Sequence, residues 1–242
     1  MKNFNKSFLK NLFFIICLFL SLNIIAQKKH SKSKLKKYKS EAVSIVSNNH
    51  KQTQVMVDKI FSFAELGFQE VESSKYLTNI LKSNEFEIEY GVSGIPTAWF
   101  AKWSNGDGPV IALGSDVDCI PKASQYPGVA YHKPMVKGAP GHGEGHNSGI
   151  PVNITAALAI QKVMKLHGIS GTLVVWPGIA EELIAAKAWY VRDGLFDGVD
   201  MCIFTHVSSN LGVSWGQARG TGLISVEYTF EGEAAHSAGA PW

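Results

Sequence analysis

The stretch Val110-Ile111-Ala112-Leu113-Gly114-Ser115-Asp116-Val117-Asp118 decides the fold. Residues 110–114 read as a short apolar strand, and two carboxylates follow at its carboxyl end. The same arrangement recurs twice further along. Thr172-Leu173-Val174-Val175-Trp176 is a second apolar strand, followed after Pro177-Gly178 by Glu181-Glu182. Met201-Cys202-Ile203-Phe204-Thr205 is a third, followed directly by His206. Between them, residues 151–166 carry a helical apolar face with Pro151 in the first turn. Residues 183–192 form another helix, closed by Gly194. Strand-helix-strand-helix-strand with apolar strands predicts an α/β domain on a mainly parallel sheet flanked by helices. Upstream, the spacing predicts helices over 41–63 and 70–81 and strands over 86–90 and 97–103, with Gly91, Gly94 and Pro96 as breakers. Downstream, 222–231 alternates as a half-exposed strand and opens a second domain.

The 242 residues suit one large domain plus a piece of another, and 45% hydrophobic with 18% charged content argues against general disorder. Lys2, Lys6 and Lys10 precede the apolar run Leu12 to Leu20, and Ala26 supplies a small residue before Gln27. That pattern is a secretory signal peptide. The run is short of the roughly 20 residues a membrane span needs. The expected product is therefore exported, periplasmic or secreted, without a stable membrane span after cleavage. Four regions are expected: a signal peptide (1–26), a basic linker (27–40), a metal-binding catalytic domain (41–215) and the start of a second domain (216–242). Residues 1–40 hold ten lysines and no acid, leaving 13 basic and 20 acidic residues for the remainder. The basic balance thus belongs to the leader and linker. Within the linker only Tyr38 is aromatic, which speaks against a nucleic-acid stacking platform. Cys17 leaves with the signal, and Cys119 and Cys202 read as small core residues rather than a disulfide framework.

In open α/β sheets the ligand crevice lies outside the carboxyl ends of the strands. Asp116, Asp118, Glu181, Glu182 and His206 all fall there. The long loop before residue 151 adds Gly141-His142-Gly143-Glu144-Gly145-His146-Asn147. In an extended segment residues two apart point the same way, so Glu144 and His146 can face one ion. Read alone, the loop is equally a polar Gly/His surface loop. Carboxylate with imidazole suits zinc, manganese or cobalt better than calcium or magnesium. Neighbours in extended chain point oppositely, so one of Glu181 and Glu182 can bind metal while the other faces a water and takes its proton. Asp118 can orient a ligand histidine through its second nitrogen. Gly212-Val213-Ser214-Trp215-Gly216 matches a nucleophile-elbow pattern, but no helical pattern follows, so it is read as chance.

The ordered motifs GSDVDCIP, GHGEGHNSG, PGIAEEL, THVSS and FEGEAAHSAGAP, with FAELGFQE at 63–70, resemble the metallo-aminoacylase and carboxypeptidase family of amidohydrolases. The likeness is greatest to the branch of aminobenzoyl-glutamate and N-acyl-amino-acid hydrolases. It implies a zinc-exopeptidase-like fold and a lid domain of α+β type that dimerises. It implies cleavage of N-acyl or N-aroyl amino acids, or dipeptides, with two divalent ions. By the resemblance, His146, Glu182 and His206 are metal ligands, Glu181 is the general base, Asp118 supports the site, and His236 on the lid helps polarise the scissile carbonyl, often across a homodimer. Where the branch has a cysteine ligand, this chain has Glu144, a carboxylate able to bridge two cations. Family members also continue through the rest of the lid to a final histidine ligand, so the chain is expected to be a fragment. The competing expectation is a non-catalytic metal-binding relative.

Overall fold

The computed structural model describes residues 31–216, 224 and 226–239. The signal-peptide reading over 1–26 lies outside the described residues. Chain order is α1 (Lys32–Asn48), α2 (His50–Phe63), α3 (Val71–Ser83), β1 (Glu87–Tyr90), β2 (Trp99–Ser104), β3 (Val110–Asp116), α4 (His146–His167), β4 (Thr172–Gly178), α5 (Lys187–Arg192) and β5 (Met201–Phe204). The five strands form one sheet in the order β1-β2-β4-β3-β5. β3 pairs in parallel with both β4 and β5, so the expected parallel core is present. β1 and β2 add an antiparallel flank, which makes the sheet mixed.

Burial explains the order. Every residue of β4 is buried, as expected for a central strand covered on both faces. One face is covered by α2, α3 and α4 through Met56, Ile60, Leu77, Leu81, Ile150 and Ile154, all at most 1% exposed. Each such side chain stabilises the fold by about 1.5–3 kcal/mol. On the other face Phe100, Trp176, Tyr190, Phe196 and Phe204 form one aromatic cluster with ring centroids 5.0–6.2 Å apart. Trp176 also fixes Gly114 opposite it in register, since a Cβ there would lie 2.2 Å from the indole. Among the described residues no helix is long and apolar enough to cross a membrane.

Four local expectations are corrected. The first helix begins at Lys32, not Glu41, and ends at Asn48; Asn49 caps it, and a second helix begins at His50. Lysine and leucine are good helix formers, and Ser31 caps the start by accepting from the Lys34 N–H at 3.4 Å. The central helix begins at His146, which leaves Pro151 inside it rather than in its first turn. Asn147, Ser148 and Gly149 are poor helix formers, but contacts to the sheet override them: Asn153 Nδ2 donates to the Gly114 carbonyl at 2.8 Å. Residues 183–192 are not one helix: a tight turn over Glu181–Leu183 is followed by the short α5. In the stretch 222–231, residues 222, 223 and 225 lie outside the described set, and the described remainder carries no strand.

Candidate metal centre

Three parallel strands deliver the site. Asp116 is the last residue of β3, facing Gly178 at the end of β4, where a Cβ would approach Asp116 Oδ1 to 2.0 Å. Asp118 follows β3, Glu181 and Glu182 follow β4, and His206 follows β5. α4 supplies His146 as its first residue. Gly145 before it takes φ 70°, the left-handed region, which turns Glu144 back toward the helix start. Glu144 and His146 therefore converge through a turn, not through the extended segment expected from their spacing. Glu181 and Glu182 likewise lie on a tight turn rather than an extended chain.

The predicted residues meet at His146, which is 3% exposed. Its Nδ1 lies 3.2 Å from both the carbonyl oxygen and Oδ1 of Asp118. Its Nε2 lies 3.1 Å from Nε2 of His206, 3.8 Å from Glu144 and 4.0 Å from Glu181. Glu182 approaches from the Nδ1 side at 3.8 Å, and its backbone N–H donates to Asp118 Oδ2 at 3.0 Å. His206 Nε2 is 4.0 Å from Glu144. Ligand atoms of Glu144, His146, Glu181 and Glu182 lie within 4.8 Å of one another, as do those of Asp116, His146 and His206. His236 is exposed and accepts from the Ala238 N–H at 3.3 Å; it makes no hydrogen bond or ion pair to the cluster among the described residues.

Tautomers follow from the partners. A carbonyl oxygen only accepts, so Nδ1 of His146 carries the proton toward Asp118, and Nδ1 of His206 carries it toward the Val207 carbonyl at 2.8 Å. In neutral rings both Nε2 atoms then bear lone pairs, and these face each other at 3.1 Å. Such a pair repels unless a proton or a cation joins it. This donor set, two imidazole nitrogens among carboxylates, fits zinc, manganese or cobalt. Protonation states record the same crowding of negative charge. Burial disfavours charged His146, yet the hydrogen bond to Asp118 and the charges of Asp116, Asp118 and Glu182 outweigh it and raise its pKa. Burial and the Glu144 charge hold Glu182 above the usual carboxylate range. Burial pushes Asp116 up to about 6, against the opposing effect of Lys187.

Sequence reasoning missed three participants. Lys187 Nζ sits 2.9 and 3.2 Å from the Asp116 oxygens and 3.7 Å from Glu181, above the Phe204 ring. A lysine one turn beyond a paired glutamate carried no signal in one dimension. Glu70 is buried behind the Glu181 turn, and His142 anchors the loop by its Nε2–H to the Ile60 carbonyl at 3.0 Å. Burial lowers the His142 pKa from 6.5 to about 4. The unfolded chain therefore protonates first as pH falls. Stability from this group is full above pH 6.5 and is lost toward pH 4. Between pH 7.5 and 4.5, wild type should lose about 2–3 kcal/mol more unfolding free energy than His142→Gln in urea titrations. Equal losses in the two proteins refute it. A groove of about 520 Å³ lined by Glu87, Lys102, Asp193 and Val199 shares no residue with the cluster.

No protein-family model matches the chain. The chain is 32% identical over 198 residues to a p-aminobenzoyl-glutamate hydrolase subunit of Escherichia coli (strain K12), covering 82% of this chain and 40% of that one. It is 25% identical over 186 residues to N-acetyl-L-cysteine deacetylase of Bacillus subtilis (strain 168), covering 74% and 42%. The chain is a homologue of these amide-hydrolysing enzymes. A solved M20 structure, a dinuclear metal binding peptidase of Bacillus subtilis, superposes with a TM-score of 0.56 at 24% identity, over 69% of this chain and 45% of that one. This likeness shows that the mixed sheet and its helices are the fold of M20 peptidase domains. The chain spans about two-fifths of the length of the curated relatives it matches.

Proposed function

We propose that this chain carries the metal-binding catalytic part of an exported amidohydrolase that cleaves N-acyl or N-aroyl amino acids or dipeptides. The observation that carries the reading is the pair of opposed Nε2 lone pairs of His146 and His206 amid three carboxylates. Glu144, His146, Glu182 and His206 are the side chains that would hold two divalent ions. Bound ions of this kind lower the pKa of water and polarise an amide carbonyl. Asp118 fixes the His146 ring and the Glu182 backbone at once. Glu181, one-third exposed, opens to the cleft and serves as the base that takes a proton from water and passes it to the departing amine. Lys187 Nζ lies 3.7 Å from it and holds a positive charge beside it. The relatives' names, a hydrolase of p-aminobenzoyl-glutamate and a deacetylase of N-acetyl-L-cysteine, support an acylated amino acid as substrate. His236 is proposed to act from the lid of a homodimer, and the apolar leader of residues 12–20 supports export.

The test is hydrolysis of aminobenzoyl-glutamate and N-acetyl amino acids before and after chelation. Activity should vanish with chelator and return with zinc or manganese, with two ions bound per chain. Turnover indifferent to the chelator overturns the reading. One weakly bound ion without turnover supports a metal-binding relative instead, a reading favoured by Glu144, whose side chain is 54% exposed.

A further inference from the structure

Behind the Glu181–Glu182 turn lies a carboxylate to which neither the motifs nor the relatives give a role. We propose that Glu70 is a positioning residue that holds this turn against the metal centre; the inference rests on the function proposed above. Glu70 is 0% exposed and has no ion-pair partner among the described residues. Its Oε2 accepts from the Thr97 hydroxyl at 3.0 Å and its Oε1 from the Ala180 N–H at 2.8 Å. A carboxylate without a cation is costly to bury, and charge-assisted hydrogen bonds to fixed donors are what offset that cost.

The donor it holds is the one that organises the turn. Ala180 sits at φ 52°, ψ 42°, a left-handed conformation that costs a residue with a Cβ about 1–2 kcal/mol. Its carbonyl accepts from the N–H groups of Leu183 and Ala185, both at 3.1 Å, so the peptide units flanking Ala180 tie the turn together. The next two residues are Glu181 and Glu182. Gly67 presses on Ala180 from the same side: a Cβ there would come within 3.0 Å of Ala180 Cα and Cβ. Glu65 completes the brace. Its carbonyl accepts from the Cys119 N–H at 2.8 Å, beside Asp118, and its carboxylate takes the N–H groups of Glu72 and Ser73 at 2.8 and 2.9 Å. The segment 65–70 therefore backs both carboxylate-bearing arms of the site, and Glu70 is its contact to the arm that carries the base.

The experiment compares full-length wild type, Glu70→Asp and Glu70→Gln. Asp keeps the charge and withdraws it by one methylene. Gln keeps the reach and the acceptor for Ala180, with its amide facing the Thr97 hydroxyl. Glu70→Asp should lower kcat about 10–100-fold at near-normal KM and weaken Mn²⁺ binding in calorimetry by a similar factor. It should also shift the His146 ring-proton resonances of the metal-free protein. Glu70→Gln should restore all three. A folded Glu70→Asp with wild-type Mn²⁺ affinity and unchanged His146 resonances overturns the proposal. Should that variant not fold, Thr97→Val, which removes one of the two anchors, is read the same way. If wild type itself neither binds Mn²⁺ nor turns over substrate, the proposed function fails, and the His146 resonances still decide the positioning role.

Discussion

Glu181→Gln should reduce kcat for amide hydrolysis by about 10²–10⁴-fold, the usual contribution of a positioned base, while metal stoichiometry stays at the wild-type value. Gln is nearly isosteric, so the tight turn over Glu181–Leu183 is kept and only the proton acceptor and the charge facing Lys187 at 3.7 Å are removed. The companion variant Glu182→Gln separates the two neighbours. Glu182 is tied to Asp118 through its backbone N–H, which the substitution leaves intact. Its loss should show in metal affinity before it shows in kcat at saturating metal. Calorimetric metal titration beside steady-state kinetics checks the split. Retained turnover in Glu181→Gln sinks the assignment of the base, and an exchange of the two phenotypes reverses the roles of the pair.

His146→Ala should abolish metal binding and also destabilise the metal-free protein by about 3–5 kcal/mol, the cost of removing one member of a buried charged or hydrogen-bonded pair. His146 and Asp118 are 3% and 1% exposed, and Nδ1 lies 3.2 Å from Oδ1. Truncation leaves Asp118 Oδ1 buried without that partner, and His206 Nε2 without its neighbour. Urea unfolding with chelator present measures the stability term, and metal titration measures the other. A variant that unfolds within about 1 kcal/mol of wild type, the range of ordinary surface changes, and that still binds two ions would show that His146 is not the hub of the centre.

The strands were legible because their apolar runs match a buried parallel core, and the site was legible because strand ends gather polar side chains on one edge. β3, β4 and β5 fall where the pattern puts them, within two residues. Asp118, Glu144, His146, Glu181, Glu182 and His206 do converge. The geometry of that convergence was not legible. Spacing arguments assumed extended chain, whereas Gly145 and Ala180 adopt left-handed conformations, which glycine takes freely and which at Ala180 the contacts from Gly67 and Glu70 brace. The antiparallel flank was also invisible, since strand direction depends on how a chain returns and not on the composition of the strand.

The sequence alone determined that this protein is an α/β domain with carboxylates and histidines at its strand ends, because hydrophobic period and residue chemistry are local properties of the chain. Tertiary structure alone decided which atoms face one another. It set the two imidazoles Nε2 to Nε2, placed Lys187 between Asp116 and Glu181, and put Glu70 behind the Ala180 peptide. Those pairings join residues up to 110 positions apart. Such contacts arise from packing helices onto a sheet, and no periodicity in one dimension encodes them.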